Sequence, residues 1–187
     1  MLSAVVITFN EENNITRCLG SLEPVVDEII VIDAHSSDNT RSLALRHGKV
    51  KVHMQPWRGF SQSKNDGNKL ATGDLIISVD ADEELSRDLQ LELINLKNTG
   101  FGDRVFEVNR LTNYCGKWIR HSGWYPEYKL RIFPKNAYWE GTLHEELVLP
   151  EKKTVLRLNG HLLHYSYPTV ESHLKKMVSY ADLAAKK

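Results

Sequence analysis

Four acids crowd into five positions, at Asp80, Asp82, Glu83 and Glu84, directly after the apolar run Leu75-Ile76-Ile77-Ser78-Val79. The run is rich in β-branched residues and reads as a strand buried on both faces. Acids at the carboxyl end of a parallel strand stand where open α/β sheets bind ligands. Alternation along an extended chain sends the side chains of Asp80 and Asp82 to one side. Two convergent carboxylates repel each other unless a cation lies between them. Oxygen ligands favour a hard ion, Mg²⁺ or Mn²⁺, shared with a phosphate. The chemistry expected is therefore a divalent metal holding a phosphorylated substrate. A solvated acidic turn before the next helix is the bland alternative, and Asp-x-Asp alone does not decide between them.

The elements that must position these acids follow from periodicity. Residues 4–8, 28–32 and 50–54 read as three short strands that precede the one from Leu75. Between them lie helical patterns: Ile15, Cys18, Leu19 and Leu22 on one face, then a helix through Leu43 and Leu45, then residues 60–71. Ser36, Ser37, Asp38 and Thr40 are expected to cap the second of these helices. Strands alternating with helices imply a parallel sheet with right-handed crossovers. Ser86 can cap a helix that buries Leu85, Leu89, Leu93 and Leu96.

The pattern changes after residue 98. Residues 105–111 alternate as a half-buried strand does, and residues 113–128 form a loop rich in Gly, Trp and Tyr. Further strands are expected at 129–133, 144–149 and 154–158, the last two as a hairpin around Pro150, with 161–167 extended. A final helix after Pro168 is expected to bury Leu174, Met177, Val178, Ala181 and Ala184. Its pattern runs to Lys186-Lys187 without a stop signal, as in a chain cut from a longer protein or a helix that frays.

Other polar groups gather at the strand ends. Thr8-Phe9-Asn10-Glu11 follows the first strand and Asp33 the second, so a nucleotide can lie across these ends. Asp33 suits a base N–H or a ribose hydroxyl, although a turn role is equally open. Lys64, or equally Arg58, can meet phosphate. In the second half, Glu145 or Glu146 can serve as a general base, and strand alternation admits only one of them to the cleft. His164 can add a nitrogen ligand, and the tryptophans can line a sugar or belong to the core.

The bulk numbers exclude some classes. Lys plus Arg equals Asp plus Glu at 24 each, so the chain lacks the basic surface of a nucleic-acid binder. Its 187 residues suit one domain, and two cysteines, Cys18 and Cys115, without ligand spacing suit reduced thiols and the cytoplasm. No apolar run approaches the roughly 20 residues that span a bilayer. The start, Met1-Leu2-Ser3-Ala4-Val5, reads as a first strand rather than a signal peptide.

Asn10-Glu11-Glu12, Asp33…Ser36-x-Asp38-x-Thr40 and Asp80-Ala81-Asp82-Glu83, in this order, resemble the family 2 glycosyltransferases. Gly123-Trp124-Tyr125-Pro126, Arg131-Ile132-Phe133 and Leu143-His144-Glu145 look like the branch that includes lipopolysaccharide core β-1,4-glucosyltransferases. The resemblance implies the α/β GT-A fold over 1–187. Its mostly parallel central sheet has flanking helices, with a nucleotide-sugar half (1–98) and a smaller mixed or antiparallel acceptor-side half (99–187). It implies inverting transfer of a hexose, glucose first, from a nucleoside-diphosphate sugar, UDP-sugar first, to a glycan or glycolipid, at the inner face of the cytoplasmic membrane.

Carried over by position, Thr8, Asn10, Glu11, Asp33, Lys64, Asp80, Trp124 and Tyr125 would bind the nucleotide sugar. Asp82 and His164 would hold Mg²⁺ or Mn²⁺, and Glu145 would be the base. The chain departs from the pattern at Ala34 and His35, where relatives often carry Ser and Gly, and relatives continue past its end. Three rivals stand beside this reading. A nucleotidyltransferase would need a phosphate-gripping loop where Asn10-Glu11-Glu12 stands. The others are a non-catalytic nucleotide-sugar or glycan-binding module, and transfer to a peptide or protein.

Overall fold

The computed structural model describes residues 1–141 and 145–185; the side chains at 179–180 and 182–185 are not part of that description. In chain order the elements are β1 (Leu2–Thr8), α1 (Ile15–Leu22), β2 (Glu28–Asp33), α2 (Thr40–Ala44), β3 (Val50–Met54), α3 (Phe60–Leu70), β4 (Leu75–Asp80) and β5 (Glu83–Leu85). Then follow α4 (Arg87–Thr99), β6 (Arg104–Tyr114), β7 (Lys117–Trp118), β8 (Tyr128–Pro134), β9 (Tyr138–Glu140), β10 (Glu146–Val148), β11 (Thr154–Tyr167) and α5 (Val170–Ala185).

One sheet carries strands from both halves, in the order β3-β2-β1-β4-β8-β6-β11-β5, with β7 on β6. The first four are mutually parallel, β8 runs against both β4 and β6, and β11 is parallel to β6. β1 is buried along its whole length because both of its faces are covered. Ala4 and Val6 pack with α1 residues Cys18 and Leu19, while Val5 and Ile7 join Ile30, Ile76 and Phe133 on the other side. α3 lies so close to the sheet that a Cβ on Gly67 would stand 2.3 Å from Val5 Cγ1. A Cβ on Gly160 would likewise meet the Leu89 backbone at 2.3 Å, so α4 rests directly on β11.

The path of β5 forces the sheet to curl. β5 forms the outer edge, four strand spacings beyond β4, yet only Ala81 and Asp82 separate the two in sequence. Four spacings of a flat sheet would take roughly 19 Å. Three residue steps reach at most roughly 11 Å. The far edge must therefore swing back towards the end of β4, and the acidic turn becomes the seam.

Several expectations are corrected. Thr154 does not begin a hairpin partner around Pro150: β10 pairs with β9, and β11 is one long strand of the main sheet. The expected start of that earlier strand, His144, lies outside the described residues. Three of the expected caps of α2 also hold another loop, since Asn10 N–H donates to Ser36 Oγ (2.9 Å), Glu11 N–H to Thr40 Oγ1 (2.7 Å) and Glu12 N–H to Asp38 Oδ2 (3.1 Å), while Asp38 Oδ1 still accepts from Thr40 N–H (3.0 Å) at the start of α2. α2 itself is only one turn and ends before Leu45. On α5, Leu174, Met177 and Val178 are 54–62% exposed rather than buried, and Ala181 is exposed too. Ala184 lies among the side chains not described. No helix among the described residues is long and apolar enough to cross a membrane.

Candidate active site

A cavity of about 890 Å³ opens at the carboxyl ends of β1 and β4. Its lining includes Thr8, Glu11, Lys64, Asp80, Asp82, Glu145 and His164, so seven of the eleven residues singled out in the sequence meet there.

The floor is a buried ion network. Lys64, 2% exposed, stands 2.7 Å from Glu145 Oε1 and 3.2 Å from Asp80 Oδ1. Its ammonium also lies 4.8 Å from the centre of the Trp139 ring. Arg131 of β8 reaches Asp80 Oδ2 (3.3 Å) and Glu83 Oε1 (2.6 Å). Arg110 of β6 stands 3.7 Å from the same Glu83 oxygen and forks onto Glu127 with two bonds of 2.8 Å. Burial alone would push Asp80 up; the Lys64 and Arg131 charges outweigh it and hold that carboxyl well below the usual range. Glu83 moves the other way, because its burial outweighs the help of Arg131 and Asp80 adds a like charge. Glu83 is thus an anchor: it accepts from Asp80 N–H (2.9 Å) and orients Arg131.

The Asp82–His164 pair comes from the seam. β11 pairs with β5 so that His164 lies opposite Glu83, and Tyr165 N–H donates to the Asp82 carbonyl (2.9 Å). His164 Nε2 then stands 3.3 Å from Asp82 Oδ2. Burial pushes the Asp82 carboxyl up, but the His164 contact and the Lys176 charge bring it below its ordinary value. Among the described residues no three His, Cys, Asp or Glu side chains form a metal-ligand group. One oxygen and one nitrogen donor fit an ion that takes its other ligands from phosphate and water, as Mg²⁺ and Mn²⁺ do.

The loops after β1 and β2 are joined by a turn-to-turn clasp. Asn10 takes a left-handed backbone (φ 54°), which Asn tolerates better than most residues, and its Oδ1 accepts from Ser37 N–H at 2.8 Å. Asn10 is therefore spent on the loop and does not line the cavity. Asp33 is fully buried behind neighbouring Ala34, which does line it. Asp33 Oδ1 accepts from Ser36 N–H (2.7 Å), while Asp33 Oδ2 and Thr8 Oγ1 have no partner among the described residues. His35 adopts φ 60°, the conformation a glycine takes freely. Glu11 lines the cavity, and burial there raises its carboxyl above the ordinary value despite a bond from Asn14.

Trp124 and Tyr125 lie outside the lining. Trp124 packs edge-on to Tyr114 and close to Tyr167, and Tyr167 is the ring that reaches the cavity. Tyr125 stacks on His161, and its hydroxyl stands 3.0 Å from His161 Nε2. Arg58 pairs with Asp66 and is not in the lining. Of the two neighbouring glutamates, Glu145 enters the cavity and Glu146 is exposed on β10. The sequence reading assigned no role to Arg110, Lys129, Arg131 or Lys176, all of which line the cavity, as does Trp139. The Arg131-Ile132-Phe133 run was the available signal for one of them. The others come from four separate elements, β6, β8, β9 and α5, which meet only in the fold.

Residues 3–166 match the family model described as Glycosyl transferase family 2. An uncharacterised glycosyltransferase of Rickettsia typhi is 30% identical over 197 residues, covering 99% of this chain and 67% of that protein. The lipopolysaccharide core biosynthesis glycosyltransferase LpsC of Rhizobium meliloti is 28% identical, over 98% of this chain and 70% of that one. Among solved structures, S. aureus TarS superposes with a TM-score of 0.59 at 16% identity, over 96% of this chain and 64% of its own. TarS in complex with UDP-GlcNAc gives 0.55 at 18% identity, over 84% of this chain and 58% of that chain. The chain thus spans about two thirds of the length of these proteins. The curled, mixed α/β sheet is the GT-A fold that TarS shares, and the chain belongs to glycosyl transferase family 2.

Proposed function

We propose that the chain binds a UDP-hexose, glucose first, and transfers the sugar with inversion to a hydroxyl of a glycan or glycolipid. The observation that carries this reading is the single cavity in which Glu145, Asp80, Asp82 and His164 all stand, with Lys64 bridging Glu145 to Asp80. UDP as the nucleotide follows TarS, crystallised with UDP-GlcNAc, and a lipopolysaccharide-type acceptor follows LpsC. A lipid-linked acceptor would be met at the inner face of the cytoplasmic membrane.

In this reading Thr8 and Glu11 frame the nucleoside, with Asn10 and Asp33 holding the turn beside it through Ser37 and Ser36. Asp82 and His164 would hold Mg²⁺ or Mn²⁺, which when bound offsets charge on the diphosphate. Lys64 occupies Glu145 Oε1, so the acceptor proton passes to the other carboxylate oxygen. The acceptor oxygen then bonds to the anomeric carbon on the face opposite the diphosphate. The carbon–oxygen bond to phosphate breaks, its electron pair leaves with the nucleoside diphosphate, and the centre inverts. Tyr167, backed by Trp124, borders the sugar and holds reacting groups in line.

Thermal shift against a panel of nucleotide sugars, with and without Mn²⁺, tests the reading. A donor at 100 times its Kd stabilises the fold by about 2.7 kcal/mol. UDP-glucose is expected to raise Tm, and Asp82→Asn to abolish the Mn²⁺-dependent part. A panel in which no nucleotide sugar moves Tm would overturn it.

A further inference from the structure

Among the described residues five Lys and Arg side chains line the cavity: Lys64, Arg110, Lys129, Arg131 and Lys176. Four are closely committed to carboxylates, Lys64 to Glu145 at 2.7 Å, Arg110 to Glu127 at 2.8 Å, Lys129 to Glu127 at 3.1 Å and Arg131 to Glu83 at 2.6 Å. Lys176 is different. Among the described residues the only carboxylate within 4.0 Å of its ammonium is Asp82, at 3.9 Å. Its hydrogen bond goes to a neutral group, Ser166 Oγ at 3.2 Å, and its ammonium lies 5.3 Å from the centre of the Tyr167 ring. The side chain is 35% exposed, so an incoming anion meets it with only the long 3.9 Å pair to Asp82 to loosen.

Its placement is built. α5 has two faces, and the apolar one, Leu174, Met177 and Val178, is turned away from the protein. The polar face does the docking. His173 lies against Tyr167 with ring centres 4.3 Å apart, and its Nδ1 stands 3.2 Å from the Tyr114 hydroxyl. Residues three apart share a helical face, so the anchor at 173 delivers the ammonium at 176. Trp124 completes the aromatic seat, edge-on to both Tyr114 and His173. Lys176 also lies beyond residue 166, where the family match ends, so the match assigns it no role.

We propose that Lys176 is a diphosphate-binding residue, carried to the Asp82–His164 side of the cavity by α5 and seated there by His173. The inference rests on the reading of the cavity as a nucleoside-diphosphate site. Negative charge grows on the diphosphate as the sugar leaves, and an ammonium bond to an anion is among the stronger hydrogen bonds available. Lys176 supplies it from the chain itself, independent of any metal.

Calorimetric titration of UDP and of uridine into the wild type, Lys176→Met and Lys176→Arg, in EDTA and again with Mn²⁺, tests this. Met keeps the aliphatic stem over Tyr167 and removes only the charge. Lys176→Met is expected to weaken UDP by about tenfold or more in EDTA, the loss that follows when a charged hydrogen bond is removed. Uridine binding should not change, and Lys176→Arg should recover most of the UDP affinity. Equal UDP affinity in wild type and Lys176→Met overturns the inference alone, as does a matching loss for uridine, which would mark a merely structural role. A wild type that binds no UDP under either condition overturns both the inference and the reading beneath it.

Discussion

The floor of the cavity and its rim handle charge in opposite ways. On the floor, Asp80 is held firmly ionised by Lys64 and Arg131, each of which is shared with a second carboxylate. On the rim, Glu11 has its carboxyl raised by burial, Lys176 touches Asp82 only at 3.9 Å, and α5 leans on one histidine and its aromatic seat. The floor comes from β4, β8 and α3, elements tied by the sheet and by close packing. The rim comes from loops, the end of β11 and a terminal helix. A charge network already paired without ligand preorganises the site, because its charges need not be reordered when substrate arrives. Charges left loosely paired at the edge are the ones a ligand can take up.

Three substitutions press on this contrast. The largest effect is expected at Glu145, where floor and chemistry meet. Glu145→Gln should lower the sugar-transfer rate by ~10²–10⁴-fold, the usual worth of a general base, with donor affinity kept. Steady-state turnover alongside donor titration reads both, and an undiminished rate would move the base elsewhere, with Glu146 next in line. Arg131→Met should come second. It leaves Asp80 with Lys64 alone and Glu83 with only the Arg110 guanidinium at 3.7 Å, and breaking a buried pair costs up to about 3–5 kcal/mol. Urea unfolding measures the loss, and combining it with Glu83→Gln should recover part of it. A cost near zero would mean that the floor is no more rigid than the rim.

Glu11→Gln should be the smallest effect, and of opposite sign. A carboxyl whose folded-state value is raised costs stability wherever the unfolded chain is ionised more readily, that is, at pH above its ordinary 4.5. The cost fades as pH falls through the folded value, because both states then carry the proton. The neutral amide is thus expected to raise Tm at pH 7 by less than about 4 °C, the shift that ~1 kcal/mol makes in a chain of this size. At pH 4 the gain should have largely gone. A gain of equal size at both values would separate it from the ionisation of Glu11.

α4 and α5 show where the sequence stops being informative. Both carry apolar residues at helical spacing. Leu89 and Leu93 are fully buried because β11 passes beneath α4, closely enough to require Gly160. Leu174 and Met177 have the same pattern and stay exposed, because nothing among the described residues covers that face. Periodicity reveals which side of a helix is apolar; it does not reveal what lies against it. Ser86 was readable for the opposite reason. A cap is a contact within one turn, and its Oγ accepts from Leu89 N–H as the local pattern requires.

What the amino-acid order determined by itself was the alternation of buried strands with helices, the acids at the end of the fourth strand and the ligand edge they mark. Strands covered on both faces must be continuously apolar, and that condition is local. Tertiary structure alone decided that His164 meets Asp82 across 82 positions, that Lys64 is claimed by two carboxylates, and that Glu145 rather than Glu146 faces inward. The first of these depends on a two-residue turn drawing the far edge of the sheet back to its middle. The curl is a property of the closed set of strand pairings, and no stretch of sequence contains it.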